Sequence, residues 1–124
     1  MIQRNPFLSK AYRYNRPKKK DNLETHLRRQ VIIYLRSKGH IAGKINVIGT
    51  PLKGGGFIAS PDLMRGLPDI FSFAPDKTMY AWECKIGKNP QSVFQRGFEN
   101  EFHLPPHRIY AVIHSIEEAE KILP

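Results

Sequence analysis

Two carboxylates and one amine have the types and spacing to do chemistry: Asp69, in Gly66-Leu67-Pro68-Asp69, and the pair in Glu83-Cys84-Lys85. Hydrolysing a phosphodiester takes a divalent cation to neutralise developing charge, a water made nucleophilic near neutral pH, and groups that orient it. Hard cations such as Mg2+ take oxygen ligands, commonly one or two carboxylates with waters completing the shell. Asp69 and Glu83 supply such carboxylates. Lys85 is suited to orienting or helping to deprotonate the water and to stabilising phosphoryl oxygens.

The elements expected around these residues decide whether they can meet. Residues 69–74 predict a strand, Pro75-Asp76-Lys77 a turn, and 79–86 a further strand, together a hairpin. Strand side chains alternate, so Tyr80, Trp82, Cys84 and Ile86 share one face while Ala81, Glu83 and Lys85 share the other. Two rival prolyl-aspartates exist. Asp76 falls in the turn, and Asp62 is followed by Leu-Met-Arg-Gly, whereas Asp69 leads straight into the strand beside Glu83.

Elsewhere the pattern is helical or loop-like. Asp21 and Glu24 have the spacing of a capping box opening a helix over about 22–38, whose apolar face is Leu23, Leu27, Val31, Tyr34 and Leu35, with Gly39 as its stop. Residues 41–48 predict a strand, and 49–68 a long loop with Gly54-Gly55-Gly56 at its most flexible point, carrying Lys53 and Arg65. Asn89-Pro90 starts a second helix with Val93, Phe94, Phe98 and Phe102 as its apolar stripe. Ile109 to Ile113 is an apolar strand, and Ser115 with Glu118 caps a final helix ending at Leu123. The order is αβββαβα: an α/β fold with a small mixed sheet flanked by helices.

Composition narrows the function. With 124 residues and 40% hydrophobic content, one compact domain over 22–124 is expected, behind a flexible basic arm at 1–21. Residues 1–20 hold seven cations, Lys18, Lys19 and Lys20 among them, and no acid, which leaves only +2 of the +9 net charge for the rest. Tyr12, Tyr14 and Phe7 lie among those cations, so the arm reads either as a nucleic-acid contact or as a solvated tail. No membrane span or secretory leader is recognisable, and the expectation is a soluble, intracellular, cytoplasmic protein in a bacterial or phage-like setting. The lone Cys84 excludes an internal disulfide and a Cys-rich zinc site, and its place beside Trp82 and Tyr80 predicts a buried, inert thiol. The three glycines do not form a phosphate-binding loop, so no nucleotide cofactor is expected. His103, His107 and His114 lack ligand spacing and are expected to be structural or solvated.

Taken in order, Glu24, Gly66-Leu67-Pro68-Asp69, Glu83-Cys84-Lys85, Ser92-x-x-Gln95 and a closing strand and helix resemble the VRR-NUC branch of the PD-(D/E)XK nucleases, over 24–123. The resemblance implies a restriction-endonuclease-like core and Mg2+ or Mn2+ held by Asp69, Glu83, the Cys84 main-chain carbonyl and Glu24. It also implies that Gln95 supports Lys85 and the water. By spacing alone Glu24 and Gln95 are capping-box residues, and the two roles are compatible. Stand-alone members are similar to Holliday-junction resolvases and tend to be homodimers on branched DNA, and the basic arm lies outside the family pattern. Charge, apart from the resemblance, makes Lys18, Lys19, Lys20, Lys53 and Arg65 the expected nucleic-acid contacts, and the glycine-rich loop reads as a flap over DNA. The alternative is a DNA- or RNA-binding module that keeps the fold without cutting.

Overall fold

The computed structural model describes residues 23–45, 50–51, 53–55, 57–58, 62, 64–88 and 90–124. The basic arm with Lys18, Lys19 and Lys20, the helix cap expected at Asp21, the end of the strand expected over 41–48, and Asn89 lie outside the described residues.

Helix α1 (Leu23–Ser37) buries Leu27, Val31, Ile32 and Leu35 along one stripe. Leu23, expected on that stripe, is exposed at the first position of the helix. The helix ends at Gly39, whose positive φ of 82° is the left-handed conformation a helix stop needs. Strand β1 (Ile41–Lys44) follows, then a two-residue hairpin of β2 (Thr50–Pro51) and β3 (Phe57–Ile58). That hairpin interrupts a segment expected to be irregular throughout, and Lys53 lies exposed in the turn between its strands. Strands β4 (Ile70–Phe73) and β5 (Met79–Cys84) pair antiparallel across the predicted turn, with Ile70 opposite Trp82. Asp76 closes that turn by accepting the Thr78 N–H at 3.0 Å. Helix α2 (Val93–Phe102) then carries the chain over to β6 (Arg108–Ile113), which lies parallel to β5, and α3 (Ile116–Ile122) closes the fold.

The main sheet runs β1-β4-β5-β6, antiparallel except for its last pair. This is the mixed sheet expected, in the αβββαβα order with the small hairpin inserted. The period-two alternation sorts its two faces. Ile70, Trp82, Cys84, Ala111 and Ile113 meet Leu27, Val31, Ile32 and Leu35 of α1 and Ala119 of α3 in one apolar core. The Tyr34 hydroxyl ties α1 to the end of α3 by donating to the Leu123 carbonyl. Two polar groups enter that core together. Trp82 Nε1 donates to Ser72 Oγ at 2.9 Å, and Ser72 Oγ lies 3.1 Å from His40 Nδ1. A Ser72 hydroxyl that accepts from Trp82 and shares a hydrogen bond with the His40 ring suits the neutral form of that histidine. Burial pulls the His40 pKa down against the attraction of Asp76, in agreement with that form.

The other face carries Phe71, Ala81, Glu83 and Tyr110 beneath α2. Phe98 and Phe102, four residues apart on α2, stack at 5.4 Å between ring centres and tilt against Phe71. Two boundaries and one cap differ most from the sequence reading. Strand β5 stops at Cys84 rather than 86. Helix α2 starts at Val93, capped by Ser92, rather than at Asn89-Pro90, because a side-chain cap three residues further on captures its first free N–H groups. In α3 Ser115 caps as expected, but the Glu118 carboxylate returns to the His114 N–H at 2.7 Å instead of completing the box on Ser115. Among the described residues no helix is long and apolar enough to cross a membrane.

Candidate active site

Asp69 is pinned between both neighbouring strands before β4 begins. Its carbonyl accepts from the Ile45 N–H at 3.0 Å beyond β1, and its own N–H donates to the Trp82 carbonyl of β5 at 3.1 Å. Its carboxylate is held as well, with Oδ2 accepting the Cys84 N–H at 2.8 Å. Continued one step, the β4–β5 register sets Asp69 beside Glu83, on the α2 face of the sheet. The alternation that turns the Cys84 N–H toward Asp69 turns its carbonyl to the same side, because both groups of one strand residue face one neighbour.

Glu83 is 2% exposed, an unusual place for a carboxylate, and three side chains converge on it. Gln95 Nε2 donates to Oε1 at 2.8 Å, the Tyr110 hydroxyl donates to Oε2 at 3.3 Å, and Lys85 Nζ lies 3.8 Å from Oε1. Burial foremost, then repulsion from Asp69, raises the Glu83 pKa to about 7 against the pull of Lys85, and a hydrogen bond with Asp69 further favours its protonated form. With Glu83 buried beside Asp69, a second negative charge is disfavoured there unless a proton or another positive charge balances it. Lys85 stands on the Glu83 face as the alternation requires, its N–H extending the ladder to the Ile113 carbonyl at 2.9 Å.

Gln95 combines both roles open to it. Its Oε1 accepts the Ser92 N–H at 2.9 Å and its N–H donates to Ser92 Oγ at 3.1 Å, which is a complete capping box, while its Nε2 is left for Glu83. The loop before Asp69 is fitted against this same turn. Gly66 has φ +77°, and a Cβ there would lie 2.1 Å from the Phe94 carbonyl oxygen and 2.8 Å from the Gln95 nitrogen, so only glycine lets the two backbones touch.

Asp69, Glu83, Lys85 and Gln95 are thus brought together. Glu24 lies half-buried in the first turn of α1. Its charge bears on the Cys84 thiol together with those of Asp69 and Glu83. Among the described residues, however, no group of three or more His, Cys, Asp and Glu side chains is gathered to hold a metal. The donor set that is assembled, two adjoining carboxylates with a main-chain carbonyl turned to the same side, fits a hard cation that keeps several waters. The Cys84 thiol is buried and its pKa pushed far up, first by burial, so it stays a protonated core side chain as expected.

Arg65 is exposed and lies over the Phe94 ring, 5.0 Å from its centre. Phe94, expected in the apolar stripe of α2, is 52% exposed. The Gly66 loop occupies the space beside the first helical turn, and the ring is covered by a guanidinium instead of the sheet. The histidines are structural or solvated as expected: His103 Nδ1 accepts the Tyr110 N–H at 3.0 Å, and His114 pairs with Glu118.

Sequence reasoning missed two residues of the site. Tyr110 counted only as part of an apolar strand, yet a tyrosine among aliphatic residues needs a partner for its hydroxyl, and that was the available signal. It is buried, and Gln91 Nε2 donates to its hydroxyl at 3.4 Å. Arg28, one turn after Glu24, is the second. Its positive charge opposes the carboxylates acting on Cys84, which sets it at the same end of the sheet.

A four-stranded mixed sheet with helices on both faces is the architecture that positions this acidic pair. A solved structure described as a VRR_NUC domain shares it, with a TM-score of 0.57, 15% identity, and coverage of 81% of this chain and 92% of that one. No protein-family model matches the sequence, and no curated protein matches it. The chain therefore has the VRR_NUC fold.

Proposed function

We propose that the protein is a Mg2+- or Mn2+-dependent endonuclease that hydrolyses DNA phosphodiester bonds, selectively on branched DNA such as Holliday junctions, and that it acts as a homodimer. The observation that carries this reading is the buried Glu83 beside half-buried Asp69, with Lys85 and Gln95 in contact with Glu83. Asp69, Glu83 and the Cys84 carbonyl would hold the cation, with Glu24 completing the set. When bound, the cation neutralises phosphoryl charge and makes water acidic enough to attack near neutral pH.

The chain's own residues do the rest. Gln95 and Tyr110 fix the two oxygens of Glu83, so the carboxylate keeps one orientation without help from solvent. Lys85, with a largely buried side chain, offers an ammonium to a phosphoryl oxygen and a site through which a proton from water can leave. Arg65, Lys53 and the basic arm with Lys18, Lys19 and Lys20 supply phosphate contacts, which makes binding weaken steeply with salt.

One observation favours a second reading, a DNA- or RNA-binding module that does not cut: no third side-chain ligand joins Asp69 and Glu83 among the described residues. The test is cleavage of a four-way junction, linear duplex, flap and single strand with Mg2+ and with Mn2+, comparing wild type with Asp69→Ala. Metal-dependent cutting that Asp69→Ala abolishes supports the enzyme. Binding without cutting by either chain supports the module.

A further inference from the structure

One exposed aromatic ring, Phe94, is unexplained by catalysis. Phe94 immediately precedes Gln95, whose side chain holds Glu83, and it shows half its surface to solvent even with Arg65 over the ring. Val93 beside it is 71% exposed and Met64, beside Arg65, is 61% exposed. A phenylalanine on the apolar stripe of this helix would be expected to turn toward the sheet, as Phe98 and Phe102 do. The close approach of Gly66 to the Phe94 backbone fixes the ring outside instead, at the rim of the site.

The surroundings identify what can cover it. From Lys85 to Phe98 the chain has three cations, Lys85, Lys88 and Arg96, and no acid. Lys88 and Arg96 are both exposed, and Arg65 adds a fourth cation from the facing loop. Protein-binding patches tend to exclude lysine from their cores, whereas an aromatic ring set among cations matches a base flanked by its phosphates. A paired base keeps both faces covered within the duplex. A ring beside the site therefore has a partner only where a base is unstacked, as at a branch point or a single-stranded end.

We propose that Phe94, backed by Arg65, is a stacking platform for one unpaired DNA base next to the phosphate that Lys85 contacts beside Asp69 and Glu83, and so sets the preference for interrupted duplexes. The inference rests on the nucleic-acid reading of the site but not on whether the chain cuts.

The test uses the full chain in EDTA, where metal-dependent cutting is suppressed, with a 16-mer of thymidylate and an abasic tetrahydrofuran oligomer of the same length. A Phe94→Trp chain reports stacking directly, because the only native tryptophan, Trp82, is fully buried and gives a constant background. Quenching by the thymidylate oligomer and not by the abasic one is expected. Phe94→Ala should bind the thymidylate oligomer about 5- to 100-fold more weakly than wild type, with little change on the abasic oligomer. Equal affinity of wild type for the two oligomers, or equal losses by Phe94→Ala on both, overturns the proposal. Quenching that persists in Phe94→Trp carrying Asp69→Ala supports stacking whether or not the wild type cuts, so failure of the platform and failure of the nuclease reading are told apart.

Discussion

Gln95 reaches from the first turn of α2 to donate a 2.8 Å hydrogen bond to Glu83 on β5, while the other end of the same amide closes the helix cap. One side chain thus joins the start of a helix to the orientation of a buried carboxylate. Gln95→Ala should remove about 1 kcal/mol of capping stability and lower metal-dependent cleavage about 10- to 100-fold, as expected for a group that orients a ligand. Gln95→Glu keeps an acceptor for the cap but sets a third carboxylate against the pair, so its cleavage should fall further and its melting temperature should drop as pH rises and the acids ionise. Thermal melts and single-turnover cleavage on the same preparations check both.

The pH dependence of stability follows from two buried groups with opposite signs. Glu83 titrates at about 7 instead of 4.5, so between those values the folded chain holds a proton the unfolded chain has lost, and stability falls as pH rises through that window. His40 is depressed, so below pH 6.5 the unfolded chain takes up a proton the folded chain refuses, and stability falls as pH drops. Glu83→Gln removes the first effect and leaves the second. It should be more stable than wild type by about 2 kcal/mol at pH 8, the full shift being discounted for screening of the Lys85 interaction, and comparable at pH 4.5. Denaturant melts across this range check it. A variant no more stable than wild type at pH 8 means that the carboxylate is not under strain.

Tyr110→Phe deletes the hydroxyl that stabilises the ionised form of Glu83 and leaves the ring packed on Phe98. Losing that donor should move the Glu83 titration upward, and because a cation competes with a proton for this carboxylate, the apparent Mg2+ affinity at pH 7 should fall by about 3- to 10-fold. The deficit should close at pH 9. Metal titrations of cleavage at the two pH values separate this from a packing defect, which would persist at both.

Gly66→Ala forces a Cβ into the Phe94 carbonyl at a position with positive φ. A loss of about 2–4 kcal/mol is expected, and the helix start must retreat from the loop to relieve it. Retreat would draw Gln95 from Glu83, so cleavage should fall in a chain that still melts cooperatively. Ser72→Ala is the matching change on the opposite face. It strands the Trp82 indole N–H and the His40 ring in the core, at a cost of about 2–3 kcal/mol, with no loss of cleavage in the folded fraction.

Much of the scaffold was legible because periodicity reports which face is buried. Alternation alone put Glu83 and Lys85 together and Trp82 with Cys84, and the structure has both. The choice of Asp69 over Asp62 and Asp76 was equally local, since only Asp69 abuts a strand. What stayed hidden depended on contacts between segments distant in the chain. Phe94 satisfies the stripe of α2 by spacing, and nothing local reveals that the Gly66 loop already fills the space beside it. Tyr110 and His40 enter polar contacts with residues up to 32 positions away, which composition and spacing do not record. The hairpin of β2 and β3 was missed because two-residue strands have too few positions to show a period.

The alternation of β5 also makes two nearly independent sets of positions. Substitutions at Tyr80 and Trp82 act on the apolar core, those at Glu83 and Lys85 act beneath α2, and free energies of pairs drawn from different sets should add. Cys84 is where additivity must fail. Its side chain lies in the core while its N–H holds the Asp69 carboxylate, so any residue there that shifts the strand to fit the core also shifts the acid. Of all positions in the strand, this one would transmit a packing change to the site as a nonadditive coupling.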